Sequence, residues 1–508
     1  MLFNTTEFAA FFLAVLIGWT LFSRWPRTRL VLLLLASLGF YACWDARYVF
    51  LLLGVTFVDW ALGLLLERTV DARARKAIVF VAVIVNLGVL GLWKYTDLLL
   101  DTVRPLQDHL PFLVPEPLHW ILPVGISFYT FQGLGYVVDV YRRHHPAFVQ
   151  PWRFALAKAF FPQLVAGPIV RPGDIVPQFD APRRLDDERL GRGLLLILRG
   201  LVKKAAADFL AASIVDRVFD LPEQYSTLET LAAIYGYGFQ IYGDFSGYTD
   251  VAIGCALLLG FDLPVNFDHP YASTSLREFW RRWHISLSSW LRDYLYVPLG
   301  GSRGGFWSTQ RNLFLTMLLG GLWHGASFTF IVWGALHGLG LVLERVSERV
   351  GARLRGPGRS ERRGKHPTTT ASATAPAKTR ARSTTASAAA DGPAVRPAVT
   401  FVRWLVTFHV VLALWVFFRA DSTGSALAVF AQLGRGLGGG AANLTPGVVV
   451  VLVLALATHL APRRVRVGVE DRFIRAPAAA QALALIVTFE LLHLLASGGA
   501  RPFIYFQF

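Results

Sequence analysis

His324 interrupts an apolar run, NLFLTMLLGGLWHGASFTFIVWGALHG, residues 312–338, between Trp323 and Gly325. An imidazole in such a segment is costly unless it is used or firmly paired. Two readings stand. A neutral imidazole suits general-base work on a hydroxyl near pH 7. It also suits a core role, donating to a backbone carbonyl. The small neighbours Gly320, Gly321, Gly325 and Ala326 let another helix or a long ligand approach closely. A second histidine, His284, lies forty residues earlier in RRWHIS. It is a candidate partner in the chemistry, or an interfacial residue for lipid phosphate. Arg277, Arg281, Arg282 and Trp283 precede it, and Arg292 follows. Guanidinium forks pair well with phosphates, so Arg277, Arg281, Arg282 and Trp283 are the expected donor-binding set. The competing reading is ordinary cytoplasmic positive charge. His269 and His337 read as structural or packing residues.

Asp244 and Asp250 fall in GYGFQIYGDFSGYTDVA, residues 236–252. Buried carboxylates need partners. They read as paired structural groups, as groups that orient a histidine, or as a proton relay. Walker, Rossmann, HExxH and G-x-S-x-G signatures are absent. The two cysteines, Cys43 and Cys255, form no CxxC pair, and no residues have metal-ligand spacing, so no metal is expected.

The elements that position these residues are membrane helices. The 508-residue chain is 54% hydrophobic and 17% charged, against about 25% charged for soluble domains. Apolar runs of spanning length recur throughout. The fold class is therefore an all-α polytopic membrane protein with about ten or more spans. The net charge of +16 belongs on cytoplasmic loops rather than on nucleic acid. Basic loops at Arg24, Arg68 and Arg142 alternate with weakly charged ones. That places the N-terminus outside. Phe154 to Val170 contains PQLVAGPIV and predicts a broken or re-entrant segment. Leu228 to Phe261 predicts one net crossing by a kinked or partly unwound path. Leu276 to Leu295 predicts interfacial amphipathic helices. Asn312–Phe330 and a shorter Ile331–Leu343 predict a pair that turns near Ser327 and Thr329. Residues 349–400 are basic and rich in Ser, Thr, Ala and Pro, as expected of a disordered cytoplasmic linker. Residues 1–348 form the membrane core with the histidine, and 401–508 complete it, with the C-terminus outside.

Five stretches resemble the membrane-bound O-acyltransferase (MBOAT) family: ILPVGISFYTFQGLGYVVDVYR, FFPQLVAGPIVRP, YGFQIYGDFSGYTDVAIG, FWRRWHISLSSWLRDYLYVPLGG and LGGLWHGASFTFIVWGALHG. WVFFRADS and the terminal FIYFQF match as well. Within that family the pattern is similar to the membrane subunits of bacterial alginate O-acetyltransferases. The likeness covers most of the chain from Trp44 onward except the linker, which is this chain's departure from the pattern. The resemblance implies an MBOAT-like helical fold with a central catalytic tunnel. It matches the family's essential histidine to His324 and a second one to His284.

The resemblance also implies transfer of an acyl group from a cytoplasmic donor, such as acetyl-CoA, to an extracytoplasmic acceptor. The expected acceptor is a polysaccharide such as alginate, reached directly or through an extracytoplasmic partner acetyltransferase, in a bacterial inner membrane. No permanently bound cofactor is expected. Alternatives are O-acylation or D-alanylation of teichoic acid, cellulose or peptidoglycan, and a transporter built on Asp244 and Asp250.

Overall fold

The computed structural model describes residues 1–104, 121–165, 167–354, 397–436, 440–495 and 503–504. Among these residues the regular structure is entirely helical. The chain opens with α1 (Thr6–Leu21), α2 (Pro26–Ala42), α3 (Arg47–Arg68) and α4 (Ala72–Lys94), followed by the short α5 (Thr96–Val103). Local chemistry sets their starts. Thr5 and Asp71 accept from the Phe8 and Ala74 N–H groups, and Pro26 opens α2 where no N–H is needed.

Helix α6 (Ile126–Tyr141) is buried along almost its whole length. It starts at Gly125, whose φ is +75°, and a Cβ there would fall 2.4 Å from the Leu164 carbonyl oxygen. Glycine is therefore required by both conformation and space. α7 (Pro151–Ala159) and α8 (Phe161–Leu164) are separated by a non-helical Phe160, the break expected between 154 and 170. α9 (Pro172–Ile175) is a single turn.

α10 (Asp187–Leu210) runs through a π-turn at Ala211–Val215 into α11 (Asp216–Asp220), and packs along α12 (Thr227–Leu258). Ser226 and Glu229 start α12 with a reciprocal capping box. The two helices touch through glycines. A Cβ on Gly200 would lie 2.5 Å from the Gly247 carbonyl oxygen, and one on Gly254 would lie 2.7 Å from that of Gly193. The expected kink or unwinding between 228 and 261 is not present. α12 is one unbroken helix of 32 residues, about 48 Å at 1.5 Å per residue. Asp244 and Asp250 are neutralised by cations of α10, so the backbone need not open to reach polar partners.

α13 (Leu276–Arg282) and α14 (Ile285–Leu291) are short and meet at His284. α15 (Gly305–His324) and α16 (Phe328–Leu354) form a close antiparallel hairpin. A Cβ on Gly321 would lie 2.4 Å from the Phe330 carbonyl oxygen. The turn is Gly325–Ser327, and α16 is much longer than the expected 331–343, because its polar end from Glu344 onward stays helical. The linker expected over 349–400 therefore begins later. Residues up to Leu354 are helical, α17 (Pro397–Arg419) already covers 397–400, and the remainder lies outside the described residues.

α17 packs on α12 and α16. α18 (Thr423–Leu433), α19 (Pro446–Leu460), α20 (Arg463–Ile474) and α21 (Ala478–Leu495) follow. Phe503 and Ile504 return to the core, where Phe503 packs on Phe245 and Tyr248. Among the described residues five helices are long and apolar enough to cross a bilayer, or six if α19 and α20, bent by 97°, count as one. The expected larger number requires helices such as α12, whose polar groups face protein.

Candidate active site

His324 is the last residue of α15 and is 3% exposed. The hairpin turns immediately after it. A Cβ on Gly325 would fall 2.0 Å from the Phe330 ring, so the turn closes only with glycine there. The imidazole meets Trp323, Trp333 and Phe418 edge-on, at centroid distances of 5.0, 5.1 and 5.2 Å. The end of α4 grips this turn. Lys94 Nζ donates to the Trp323 and His324 carbonyl oxygens at 2.7 and 2.8 Å, and Tyr95 Oη donates to that of Leu322 at 2.6 Å. A cavity of about 40 Å3 opens beside them, with Lys94, Gly125, Ser127, Phe128, Trp323 and His324 on its wall. Tyr41 and Tyr48 steady that wall by donating to the Val124 and Ile121 carbonyls at 2.9 and 2.6 Å.

His284 occupies the left-handed region, with φ +43°. A non-glycine residue there costs about 1–3 kcal/mol and persists only where the surroundings impose it. Here Asn266 imposes it. The Asn266 side-chain oxygen accepts from the Ser286 N–H at 3.1 Å and from Ser286 Oγ at 2.8 Å, and the Asn266 carbonyl accepts from Ile285 N–H at 2.9 Å. The backbone N–H of Ser286 fixes which Asn266 atom is oxygen. His284 Nδ1, 3.2 Å from that oxygen, is therefore the protonated nitrogen. Nε2 carries the lone pair, and no protein hydrogen-bond donor reaches it among the described residues. The ring packs edge-on to Phe245 at 4.7 Å and lies 6.3 and 6.2 Å from Phe128 and Trp323. His284 and His324 thus flank Trp323.

His337 accepts at Nδ1 from Trp280 Nε1, 3.3 Å away, so its Nε2 bears hydrogen. That N–H and the indole N–H groups of Trp323 and Trp333 are buried without protein acceptors among the described residues. With His324 these side chains form a contiguous row, Trp333 lying 4.8 Å from His337. Orphaned buried donors are uncommon and carry a desolvation cost. Such a row suits carbonyl oxygens of a bound substrate.

The cationic set is placed differently from the histidines. Arg277 pairs with Glu348 at 2.8 Å and Glu344 at 3.4 Å, and Arg282 with Glu278 at 2.6 Å. Arg281 is exposed, and no ion pair to it is found among the described residues. Trp283 is 1% exposed, inside an aromatic core 4.9 Å from Trp415 and 5.0 Å from Phe267. Asp244 pairs with Lys204 at 2.7 Å and accepts from the Ile504 N–H at 2.7 Å. Asp250 is held by Arg199 at 2.9 Å and Lys203 at 2.7 Å. Both carboxylates are structural counter-ions of α10. Sequence reasoning missed Lys94, Asn266 and Trp333. A lysine at the end of an apolar helix reads as snorkelling to the interface, and nothing local marks the other two.

Residues 139–359, a window holding both histidines, match the family described as MBOAT, membrane-bound O-acyltransferase family. A Pseudomonas aeruginosa protein named probable alginate O-acetylase AlgI is 45% identical over 350 residues, 68% of this chain and 66% of that one. The chain thus spans about two thirds of that relative's length. The Azotobacter vinelandii protein of the same name is 38% identical over 437 residues, 85% of this chain and 78% of its own. A Helicobacter pylori peptidoglycan O-acetyltransferase is 34% identical over 460 residues, 84% and 79% of the two chains. With these motifs in one buried, histidine-centred site of a helical membrane protein, the chain belongs to the membrane-bound O-acyltransferase family.

Proposed function

We propose that this chain moves an acetyl group from cytoplasmic acetyl-CoA to an extracytoplasmic polysaccharide such as alginate, directly or through a partner acetyltransferase, with His324 as general base. The observation that carries the reading is His324 at a tight helix end, on the wall of a cavity and beside a row of unsatisfied N–H donors. In the reaction, His324 takes the proton of the acceptor hydroxyl as its oxygen attacks the thioester carbon. The carbonyl electron pair moves onto oxygen, where the N–H groups of Trp323, Trp333 or His337 meet it. The C–S bond then breaks, and the leaving thiolate takes the proton back from the imidazolium. His284, with a lone pair on Nε2, is the second catalytic candidate and suits an N–H of the donor arm. Arg277, Arg281, Arg282 and Trp283 remain the proposed donor-binding set, and Arg281 is the arginine among them with no ion pair among the described residues.

Purified protein given acetyl-CoA and an alginate oligosaccharide, with its partner where one is required, should release free CoA in step with acetylated product. Arg281→Ala should raise the KM for acetyl-CoA with little change in kcat. Absence of acceptor-dependent CoA release would overturn the reading. The Helicobacter relative favours peptidoglycan as the second acceptor, and substituting that polymer in the same assay decides between them.

The topology we infer puts both termini outside and the basic stretch between α16 and α17 in the cytoplasm of an inner-membrane protein, from the distribution of Arg and Lys. A single cysteine at Ala371, in a background lacking Cys43 and Cys255, should resist an impermeant thiol reagent in intact cells. Labelling there would reverse the topology.

A further inference from the structure

We propose that Lys94 is a positioning residue for the reaction, clamping the end of α15 so that the His324 imidazole is held where the acceptor hydroxyl arrives. The role rests on the acyl-transfer reading above. Lys94 ends a long apolar helix, a place where a lysine ordinarily extends to the membrane surface. Here it does not. It is 9% exposed, and its ammonium lies against the last two carbonyls of α15. The final carbonyls of a helix have no intrahelical partner, and they form the negative end of the helix dipole, where a cation is favourable. The adjacent Tyr95, just past the end of α4, takes the carbonyl of Leu322, so two successive residues satisfy three successive carbonyls of α15.

The clamp matters because it acts on the backbone of the residue that carries the imidazole, at the point where the hairpin turns. Gly325 follows at once, in extended conformation, with no side chain of its own to pack. The third N–H of the ammonium is not committed to these two bonds, and Lys94 lies on the wall of the same cavity as His324. One residue therefore joins the helix that carries the base to the space in which the base works. Without the ammonium, two buried carbonyls lose their donors and the last turn of α15 is free to unwind. A displacement of about 1 Å in a reacting group is enough to cost roughly 100-fold in rate.

The test uses the full-length protein in lipid nanodiscs. Lys94→Met should lower kcat by about 100-fold with the KM for acetyl-CoA unchanged, and should speed amide hydrogen exchange across 320–329. Tyr95→Phe, which removes one donor and keeps the ammonium, should produce the same two effects at smaller size, and decides the matter if Lys94→Met does not accumulate. Ethylammonium should restore part of the activity of Lys94→Ala, whereas ethanol should not, because the neutral molecule supplies no cation. Wild-type kcat, a kcat loss without faster exchange in this segment, or equal rescue by ethanol would overturn the clamp. An inactive wild type would instead count against acetyl transfer itself, and the exchange measurement would still decide whether Lys94 holds the helix end.

Discussion

His324→Gln should leave the protein inserted and folded while lowering acetyl transfer by about 100- to 10,000-fold, the usual cost of removing a general base. Glutamine is close to histidine in reach and keeps a hydrogen bond, but it cannot accept the proton of the acceptor hydroxyl. The imidazole is 3% exposed within a cage of Trp323, Trp333 and Phe418. A purely structural histidine in that cage would behave differently. Its replacement would reduce yield and melting temperature, and whatever folded would retain activity in proportion. Free CoA release and thermal unfolding, measured on the same purified samples, separate the two. Well-folded His324→Gln with wild-type turnover would remove His324 as the base and pass the role to His284.

The largest effect on stability should come from the pair Lys158–Asp59. The two side chains are wholly buried and 2.7 Å apart, and Asn86 donates to the other carboxylate oxygen at 2.6 Å. The group ties α3, α4 and α7 together against α6, where a Cβ on Gly133 would fall 1.9 Å from the carboxylate. Removing one partner strands a charge in a low-dielectric interior, at about 3–5 kcal/mol. Asp59→Leu and Lys158→Met should each lower the melting temperature sharply. The double variant should recover much of the loss, because a neutral apolar pair carries no desolvation penalty. Melting at the wild-type temperature in either single variant would show that water or lipid headgroups reach the pair. A double variant as unstable as the worse single would show that packing, rather than the stranded charge, sets the cost.

The two candidate histidines are conspicuous in the sequence because apolar composition makes any imidazole stand out. His324 stood out between glycines in a hydrophobic run, and His284 stood out in a cationic one. The break near Phe160 was legible for the same reason, since proline and glycine at membrane depth announce irregular backbone. The path of α12 was misread. Asp244 and Asp250 looked like a reason for the helix to open, but the cations that satisfy them lie forty or more residues away on α10, and sequence does not show which carboxylate meets which cation. The same limit applied to the arginines. Arg277 and Arg282 read from the sequence as phosphate-binding, and their pairing with Glu344, Glu348 and Glu278 is likewise visible only in the fold.

By itself the sequence determined the solvent, the element type and the family. Runs of apolar residues can satisfy their backbone in hydrocarbon only as helices, and the spacing of whole motifs marks the family. The tertiary structure decided which nitrogen of His284 holds a proton, which buried donors lack acceptors among the described residues and what grips the helix end that carries His324. These are matters of contact between distant segments. Asn266 sets the tautomer of His284 from eighteen positions away, and Lys94 reaches His324 across 230. Nothing in the local pattern around either histidine encodes the partner, because hydrogen bonding depends on where the glycine-lined helices come to rest against each other.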